Sequence, residues 1–535
     1  MGFQNILTKF AAKFIRKEKM KRKLLPITLM LSGVMMLASC LGDDDNSSGI
    51  TYYGDGAITA FSLGTLNRTY LYNNGEPIKK TTDGTDSTTT VDCSSYKMTI
   101  DQLSYAKDDA GNPTKMHPIF NTDSLPAGTD ISRVVCTISS KNSGVIALMR
   151  LKKNPTDKDT LDYFNSSDSI DFTSPREFHV YSTDGTYRRR YQVKLNVHKE
   201  LADSFTWHKQ DIHDIMAAAE GGVKGTALTE LVSGADNTLF LSVATPTVTK
   251  LYSQSLKTGG AAGFKHQRDF GAEAWQNVVA FGGKLYVLDG GKLMRSANGA
   301  SWEEVSATGV SLDADSRLVA SSSKLFVLTY ANEPTNTSKG MRGTAIYSSA
   351  DGSNWAVEAL GDDAVRLPGG RLSVCEMPLK TNSDIKRLVI AGNRMAADTL
   401  SADGNAVVWG KIEDPTDDSY KWNAYDSKSK YSLPDMQSLS VMKYDGQLYA
   451  IGGKTTDGEG TPFSVLYTSN DQGISWRESS LFTLPSLSTV VNADAVAMIA
   501  DSQNYVWIVN AADSSLWKMR INRLGWKQEQ RAFNE

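Results

Sequence analysis

Apolar and polar residues alternate with a period of two through much of the chain. Between Ala57 and Val197 this holds for Ile58-Thr59-Ala60-Phe61-Ser62-Leu63, for Phe178-His179-Val180-Tyr181, and for Tyr191-Gln192-Val193-Lys194-Leu195-Asn196-Val197. Such runs predict strands of a half-buried antiparallel sheet, one face on a core and the other in water. Turn-forming clusters punctuate them. Asp123-Ser124-Leu125-Pro126-Ala127-Gly128-Thr129-Asp130 enters the apolar Val134-Val135-Cys136-Thr137-Ile138, Asp171-Phe172-Thr173-Ser174-Pro175 leads into a strand, and Ser182-Thr183-Asp184-Gly185-Thr186 turns into the last one.

From Ser204 onward one strand recurs at intervals of about 40 to 65 residues, the spacing of radially repeated sheets. Its six copies are Thr238-Leu239-Phe240-Leu241-Ser242-Val243, Lys284-Leu285-Tyr286-Val287-Leu288, Lys324-Leu325-Phe326-Val327-Leu328, Arg387-Leu388-Val389-Ile390-Ala391, Gln447-Leu448-Tyr449-Ala450-Ile451 and Tyr505-Val506-Trp507-Ile508-Val509. After each comes an aromatic residue placed to open an outer strand: Phe264, Trp302, Trp355, Trp422, Trp476 and Trp526. Asn277-Val278-Val279-Ala280 and Ser438-Leu439-Ser440-Val441 precede their copies and read as innermost strands. Four strands in each of six copies predict an all-β, six-bladed β-propeller over residues 204–535. Phe205-Thr206-Trp207-His208 shares the outer-strand pattern of Gly525-Trp526-Lys527, so it either helps to close the ring or leaves room for seven blades.

The most constrained turn is Ser469-Asn470-Asp471-Gln472-Gly473-Ile474-Ser475-Trp476. An Asp in a tight turn accepts from backbone amides just ahead of it, and a Gly takes the positive φ that a side chain resists. The Trp then buries a large ring at the start of the next strand. Ser296-Ala297-Asn298-Gly299-Ala300-Ser301-Trp302 and Ser349-Ala350-Asp351-Gly352-Ser353-Asn354-Trp355 repeat the pattern with one residue fewer before the Trp. The three segments resemble the Asp-box hairpin of sialidase-like and related propellers, which joins the two outer strands of a blade. The resemblance implies that these residues are structural. Gly282-Gly283 and Gly452-Gly453 resemble the paired glycines of kelch blades, most closely in Leu448-Tyr449-Ala450-Ile451-Gly452-Gly453.

Charge changes the picture at the N-terminus. Lys21-Arg22-Lys23 precedes an apolar run from Leu24 to Leu37 that ends in Leu37-Ala38-Ser39-Cys40. A basic segment, a short apolar core and small residues before a cut site make residues 1–39 a secretory signal, too short for a comfortable membrane span. Residues 1–19 look like an upstream start, with Met20 an alternative initiator. Cys40 after Leu-Ala-Ser resembles the bacterial lipobox, which implies a lipid-modified Cys40. The following Leu41-Gly42-Asp43-Asp44-Asp45-Asn46-Ser47-Ser48-Gly49 is a flexible tether within residues 40–56. An acidic cluster there is similar to the signal for surface display in Bacteroidetes-type lipoproteins; a plain spacer fits it as well. Without residues 1–39 the chain carries 49 basic and 59 acidic residues, a net charge of −10. That balance argues against a nucleic-acid partner.

A chain of 535 residues exceeds one ordinary core. The turn and strand order of residues 57–198 resembles the Ig-like β-sandwich modules near the N-terminus of Bacteroidetes surface lipoproteins, which implies a spacer. Cys93 and Cys136 both fall here, where an exported compartment permits a disulfide; two unpaired buried thiols fit equally. Cys375 reads as a buried apolar residue. Arg188-Arg189-Arg190 reads as a solvated hairpin flank.

Catalytic chemistry is hard to place. A sialidase needs an arginine triad and an early Arg-Ile-Pro strand, and the chain offers only Arg366-Leu367-Pro368 in mid-domain. His208, Asp211, His213 and Asp214 form the densest His/Asp cluster, read as a solvated flank rather than a metal site. Asp414-Pro415-Thr416-Asp417-Asp418 and Thr456-Asp457-Gly458-Glu459 have Ca²⁺-ligand chemistry but read as exposed loops. The expectation is a non-catalytic lipoprotein of the outer membrane, exposed on the cell surface, without cofactor or metal. Its Ig-like spacer would lift a propeller whose face binds a glycan or protein partner. The alternative is a glycoside-processing enzyme with two carboxylates in the propeller funnel.

Overall fold

The computed structural model describes residues 53–71, 76–79, 84–108, 110–152, 154–233, 236–257, 263–332, 340–453, 463, 465–487 and 495–525. Cys40, the acidic tether, Thr456-Asp457-Gly458-Glu459 and Trp526 lie outside them. Chain contacts divide the protein into two units, one of Met1–Thr59, Ser139–Tyr163 and Phe178–Arg190, the other of Ala60–Ile138, Phe164–Glu177 and Tyr191–Glu535.

In the first unit Val145–Met149 is flanked by antiparallel partners, pairing Ala147 with Tyr163 on one side and with His179 on the other. In the second unit Thr65–Thr69 and Thr88–Asp92 form a hairpin, and Met98–Ile100 runs antiparallel to His117–Asn121. Tyr191 to Lys194, however, pairs parallel with His117 to Phe120. The expectation of a purely antiparallel sheet is therefore corrected. Strands so far apart in sequence have no hairpin to impose antiparallel pairing. The last strand spans Arg188–Lys194, so the three arginines begin it rather than flank it. Cys93 and Cys136 are both buried free thiols, as is Cys375.

From His208 to Met519 the second unit is a β-propeller. It contains six four-stranded antiparallel sheets. The six recurring runs are the second strand of each: Asp236–Ala244, Lys284–Asp289, Leu325–Asn332, Lys386–Asn393, Gln447–Ile451 and Val506–Asn510. They read as almost continuous apolar runs because both faces are covered. In the first sheet Phe240 packs with Val278, Leu285 and Val287 of the next sheet, while Leu239, Leu241 and Val243 pack with Trp507, Val509 and Leu516 of the last. Successive side chains on a strand point to opposite faces, so one strand serves two interfaces.

Ring closure uses the start of the propeller chain. His208–Asp211 pairs antiparallel with Ser515–Met519, His208 opposite Lys518 and Asp211 opposite Ser515, and so becomes the outer strand of the sheet made by Val496–Ala500, Val506–Asn510 and Ser515–Met519. Phe264, Trp302, Trp355, Trp422 and Trp476 each immediately precede an outer strand, and in the closing sheet Trp207 holds that place. The two glycine pairs differ. Gly282 and Gly283, both at positive φ, make the hairpin turn between a first and second strand, whereas Gly452-Gly453 follows a second strand.

Candidate functional site

The three Ser-Asp/Asn-Gly-Trp turns share one hydrogen-bond plan between the third and outer strands of their sheets. In the longest, Asp471 Oδ1 accepts from the Ser475 amide at 2.9 Å and the Ser469 hydroxyl at 2.8 Å, while Ser475 Oγ donates to Oδ2 at 2.6 Å. The Gly473 amide donates back to Ser469 Oγ at 2.8 Å. The shorter turns match: Asp351 Oδ1 accepts from the Ser353 and Asn354 amides at 2.7 and 2.8 Å, and Asn298 Oδ1 from the Ala300 and Ser301 amides at 2.9 and 3.1 Å. Each Trp Nε1 donates to the carbonyl of its own Gly, Trp302 to Gly299, Trp355 to Gly352 and Trp476 to Gly473. The extra residue of the third turn, Gln472, is absorbed at φ +63.

These turns also weld neighbouring sheets. Trp476 packs with Val389 and Val408 of the preceding sheet, and Trp355 with Tyr286 and Leu288 of its own predecessor. Gly299 at φ +80 presses on the sheet before it, where an added Cβ would lie 2.3 Å from Phe240 Cε1.

The first strands, Gly225–Ser233, Val278–Phe281, Arg317–Ala320, Gly369–Pro378, Ser440–Tyr444 and Val496–Ala500, contact one another in sequence order and the last returns to the first. Polar side chains bond across each junction. Thr229 Oγ1 donates to the Val278 carbonyl at 2.9 Å, Asn277 Oδ1 accepts from the Leu318 amide at 2.9 Å, and Tyr330 donates to the Pro368 carbonyl at 2.5 Å. Ser373 Oγ accepts from the Val441 amide at 2.9 Å and Ser440 Oγ from the Met498 amide at 3.2 Å. At the closing junction Glu230 accepts from the Ser502 amide and hydroxyl, both at 2.7 Å. Burial pushes the Glu230 carboxyl up, against the pull of these Ser502 bonds and of Asn237.

All six first strands line a single cavity of 360 Å³. Where these strands begin, Arg371 lies across it. One guanidinium nitrogen donates to the carbonyls of Thr226 and Val496, both at 2.8 Å, and the other to the carbonyls of Ser438 at 2.7 Å and Leu439 at 3.0 Å and to Ser440 Oγ at 2.6 Å. The planar fork thus ties the fourth sheet to the first, fifth and sixth. Glu230 is the one carboxylate among the described residues that line the cavity. Sequence reasoning missed Arg371; its signal was a cation near the start of a strand whose only other charged residue is Glu376.

Other candidates fall elsewhere. Asp211, His213 and Asp214 line a separate cleft of 320 Å³ with Gln210 and Phe264, and the Asp211 carboxylate accepts from the His213 amide at 2.8 Å. His208 sits on the closing outer strand. Among the described residues no three His, Cys, Asp or Glu side chains gather as metal ligands. Asp414 Oδ1 accepts from the Thr416 amide and hydroxyl at 2.9 and 2.7 Å, an ordinary turn. Arg366 pairs with Asp362 at 3.1 Å. No helix among the described residues is long and apolar enough to cross a membrane.

The fold defines an all-β protein with a β-propeller domain, and the sequence carries the matching family signature. The chain belongs to the DUF6242 family: residues 201–529 match the DUF6242 beta propeller domain, and residues 61–195 match the N-terminal domain of this domain of unknown function. A comparison with curated proteins finds no match. Among solved structures, the chain is similar to a Trichoderma reesei carbohydrate-active enzyme of family AA12, at 11% identity and a TM-score of 0.35 over 59% of this chain and 96% of that one. It is also similar to the fungal lectin of Aleuria aurantia, a six-bladed β-propeller, at 11% identity and a TM-score of 0.32 over 55% and 91% of the two chains. A Bombyx mori GH32 β-fructofuranosidase follows at 13% identity and a TM-score of 0.29 over 53% and 68%.

Proposed function

We propose that this protein is a cell-surface lipoprotein of the outer membrane, lipidated at Cys40, with an Ig-like spacer module over 57–198 and a six-bladed propeller over 204–535. The propeller binds a glycan or a protein partner at one face and performs no chemistry on it. The observation that carries this reading is the 360 Å³ axial cavity, lined by all six first strands. Concave sites with few fixed polar groups are the usual seats of ligands. Hydrolysis of a glycosidic bond needs a pair of carboxylates. Among the described residues Glu230 lines the cavity without a second carboxylate and is engaged by Ser502, which favours binding over the glycoside-processing alternative. The Asp-box residues Ser469, Asp471, Gly473, Trp476, Asn298, Gly299, Trp302, Asp351, Gly352 and Trp355 serve the scaffold.

Full-length protein in detergent, probed on a glycan array and in pull-downs from surface extracts, should bind at least one partner. Filling the cavity with Ala320→Trp should abolish that binding while leaving the melting temperature within a few degrees. Silence of the wild type in both assays removes the binding claim. For the anchor, Cys40→Ser should lose metabolic labelling by a fatty-acid analogue, since the thioether needs a thiol; equal labelling of both proteins refutes it.

A further inference from the structure

The axial cavity has two unlike ends. Arg371 crosses it where the first strands begin, and the first and fourth sheets, which its guanidinium joins, stand opposite each other in a ring of six. To reach the Thr226 carbonyl from the fourth sheet the side chain must pass over the axis, and the same guanidinium also meets Val496, Ser438 and Leu439. That end is obstructed. Thr226 and Glu230 stand four residues apart on one strand, roughly 13 Å. Glu230 therefore lies at the other end, with Ala280, Ala320 and Ala500, each the last residue of its strand to line the cavity and each partly exposed. Their small side chains leave this mouth clear.

Glu230 is held with one acceptor position to spare. Its Oε1 takes two donors, Asn237 Nδ2 at 2.9 Å and the Ser502 hydroxyl at 2.7 Å, whereas Oε2 takes the Ser502 amide alone at 2.7 Å. A carboxylate offers about four lone-pair sites, so one on Oε2 remains for a ligand donor. The three donors fix the carboxylate and with it the direction of that site. Among the described lining residues the only other charge is Arg371, of opposite sign. A charged ligand would gain at one end and lose at the other, whereas a neutral one meets neither cost. Each first strand is also the edge of its sheet, so the wall mixes peptide N–H and C=O groups with apolar side chains such as Val279, Val374 and Ile499. Such a wall suits a compact molecule that combines hydroxyl groups with C–H faces. With Arg371 across its far end, the cavity admits the end of a saccharide, whereas a peptide would have to enter and leave by the same mouth.

We propose that the axial cavity takes the terminal ring of a neutral saccharide, which enters past Ala320 and donates one hydroxyl to Glu230 Oε2. This rests on the reading of the propeller as a binding module, and it selects a neutral sugar from the glycans and proteins which that reading allows. Glu230 is then the residue that sets specificity.

Full-length protein in detergent can be titrated by calorimetry with neutral mono- and disaccharides, with their amino and uronic acid counterparts, and with the monodeoxy analogues of the neutral sugar that binds. A neutral sugar should give a saturable heat, and its charged counterparts should bind more weakly. One deoxy analogue, lacking the hydroxyl that meets Glu230, should bind the wild type at least about tenfold more weakly than its parent. Glu230→Gln should weaken the parent sugar by a similar factor and make no further difference to that analogue, whose bond is already missing. Should Glu230→Gln fail to fold, the deoxy series on the wild type decides, and equal affinities throughout it overturn the proposal. Tighter binding of a charged counterpart overturns it as well, as does sugar binding that survives Ala320→Trp. A protein partner captured in pull-downs while every sugar is silent leaves the binding module standing and removes the neutral sugar; silence towards sugars and extracts alike removes both.

Discussion

Asp471 and Trp476 carry the two separable parts of one turn, so their substitutions should differ in size. Asp471→Ala removes acceptors from the Ser475 amide and hydroxyl; because water can reach that amide, the cost should be about 1 kcal/mol. Trp476 is 3% exposed, and Trp476→Ala leaves a cavity between two sheets that should cost about 3 to 5 kcal/mol. Urea unfolding measures both; equal losses would mean that the carboxylate does more than order its turn. The same turns set a pH dependence. The Asn354 amide, then its side chain and the Ser353 amide, hold the Asp351 carboxyl well below the usual range. For Asp471, burial pushes upward, but the Ser475 hydroxyl and amide and the Ser469 hydroxyl outweigh it and its carboxyl is lowered. A carboxyl whose folded pKa lies below its unfolded one adds stability that is fully present above the unfolded value of about 4 and is lost as pH falls through the folded value. The urea midpoint should therefore fall below about pH 4. It should fall less in an Asp351→Asn/Asp471→Asn double variant, which keeps the acceptor oxygens without the charge. Identical falls in the two proteins would refute the assignment.

Elements in this propeller are defined by which faces they bury. The second strands are legible in sequence because both faces are packed and the apolar run is long. The outer strands of the third, fourth and fifth sheets are only two residues each, Ala356–Val357, Asn423–Ala424 and Arg477–Glu478, and no alternation can be read from two residues. What betrays them is the Trp in front, whose ring must reach the neighbouring sheet. Gly299 tests whether the turn is shaped by the chain or by that neighbour. Positive φ alone makes Gly299→Ala cost about 1 kcal/mol. The contact with Phe240 on the preceding sheet should raise this to about 2 to 4 kcal/mol. A Phe240→Ala background should recover most of the difference, and a loss of the same size in both backgrounds would show that φ alone decides.

At the scale of the whole ring, Arg371 is the residue on which most sheets depend. Arg371→Ala leaves four backbone carbonyls of three other sheets without its charged donors, which should cost about 3 kcal/mol or more. Arg371→Lys should lie between, because an ammonium keeps the charge without the planar fork. Thermal melts decide it, and an Arg371→Ala protein that melts with the wild type would show the tie to be idle. By itself the sequence determined what depends on short separations. The period-two runs, the count of recurring strands and the Asp/Asn-Gly-Trp turns are written in consecutive residues, because strand burial and turn chemistry are local demands. Tertiary structure alone decided what joins distant residues. Trp207, rather than a residue after Ser515–Met519, opens the outer strand of the closing sheet. Tyr191 runs parallel to His117, and Cys93 and Cys136 stay apart as thiols. Arg371 finds its acceptors 67 to 145 residues away. The physical reason is that backbone carbonyls are the same at every position, so no residue type marks which of them will face a given guanidinium once the ring has closed.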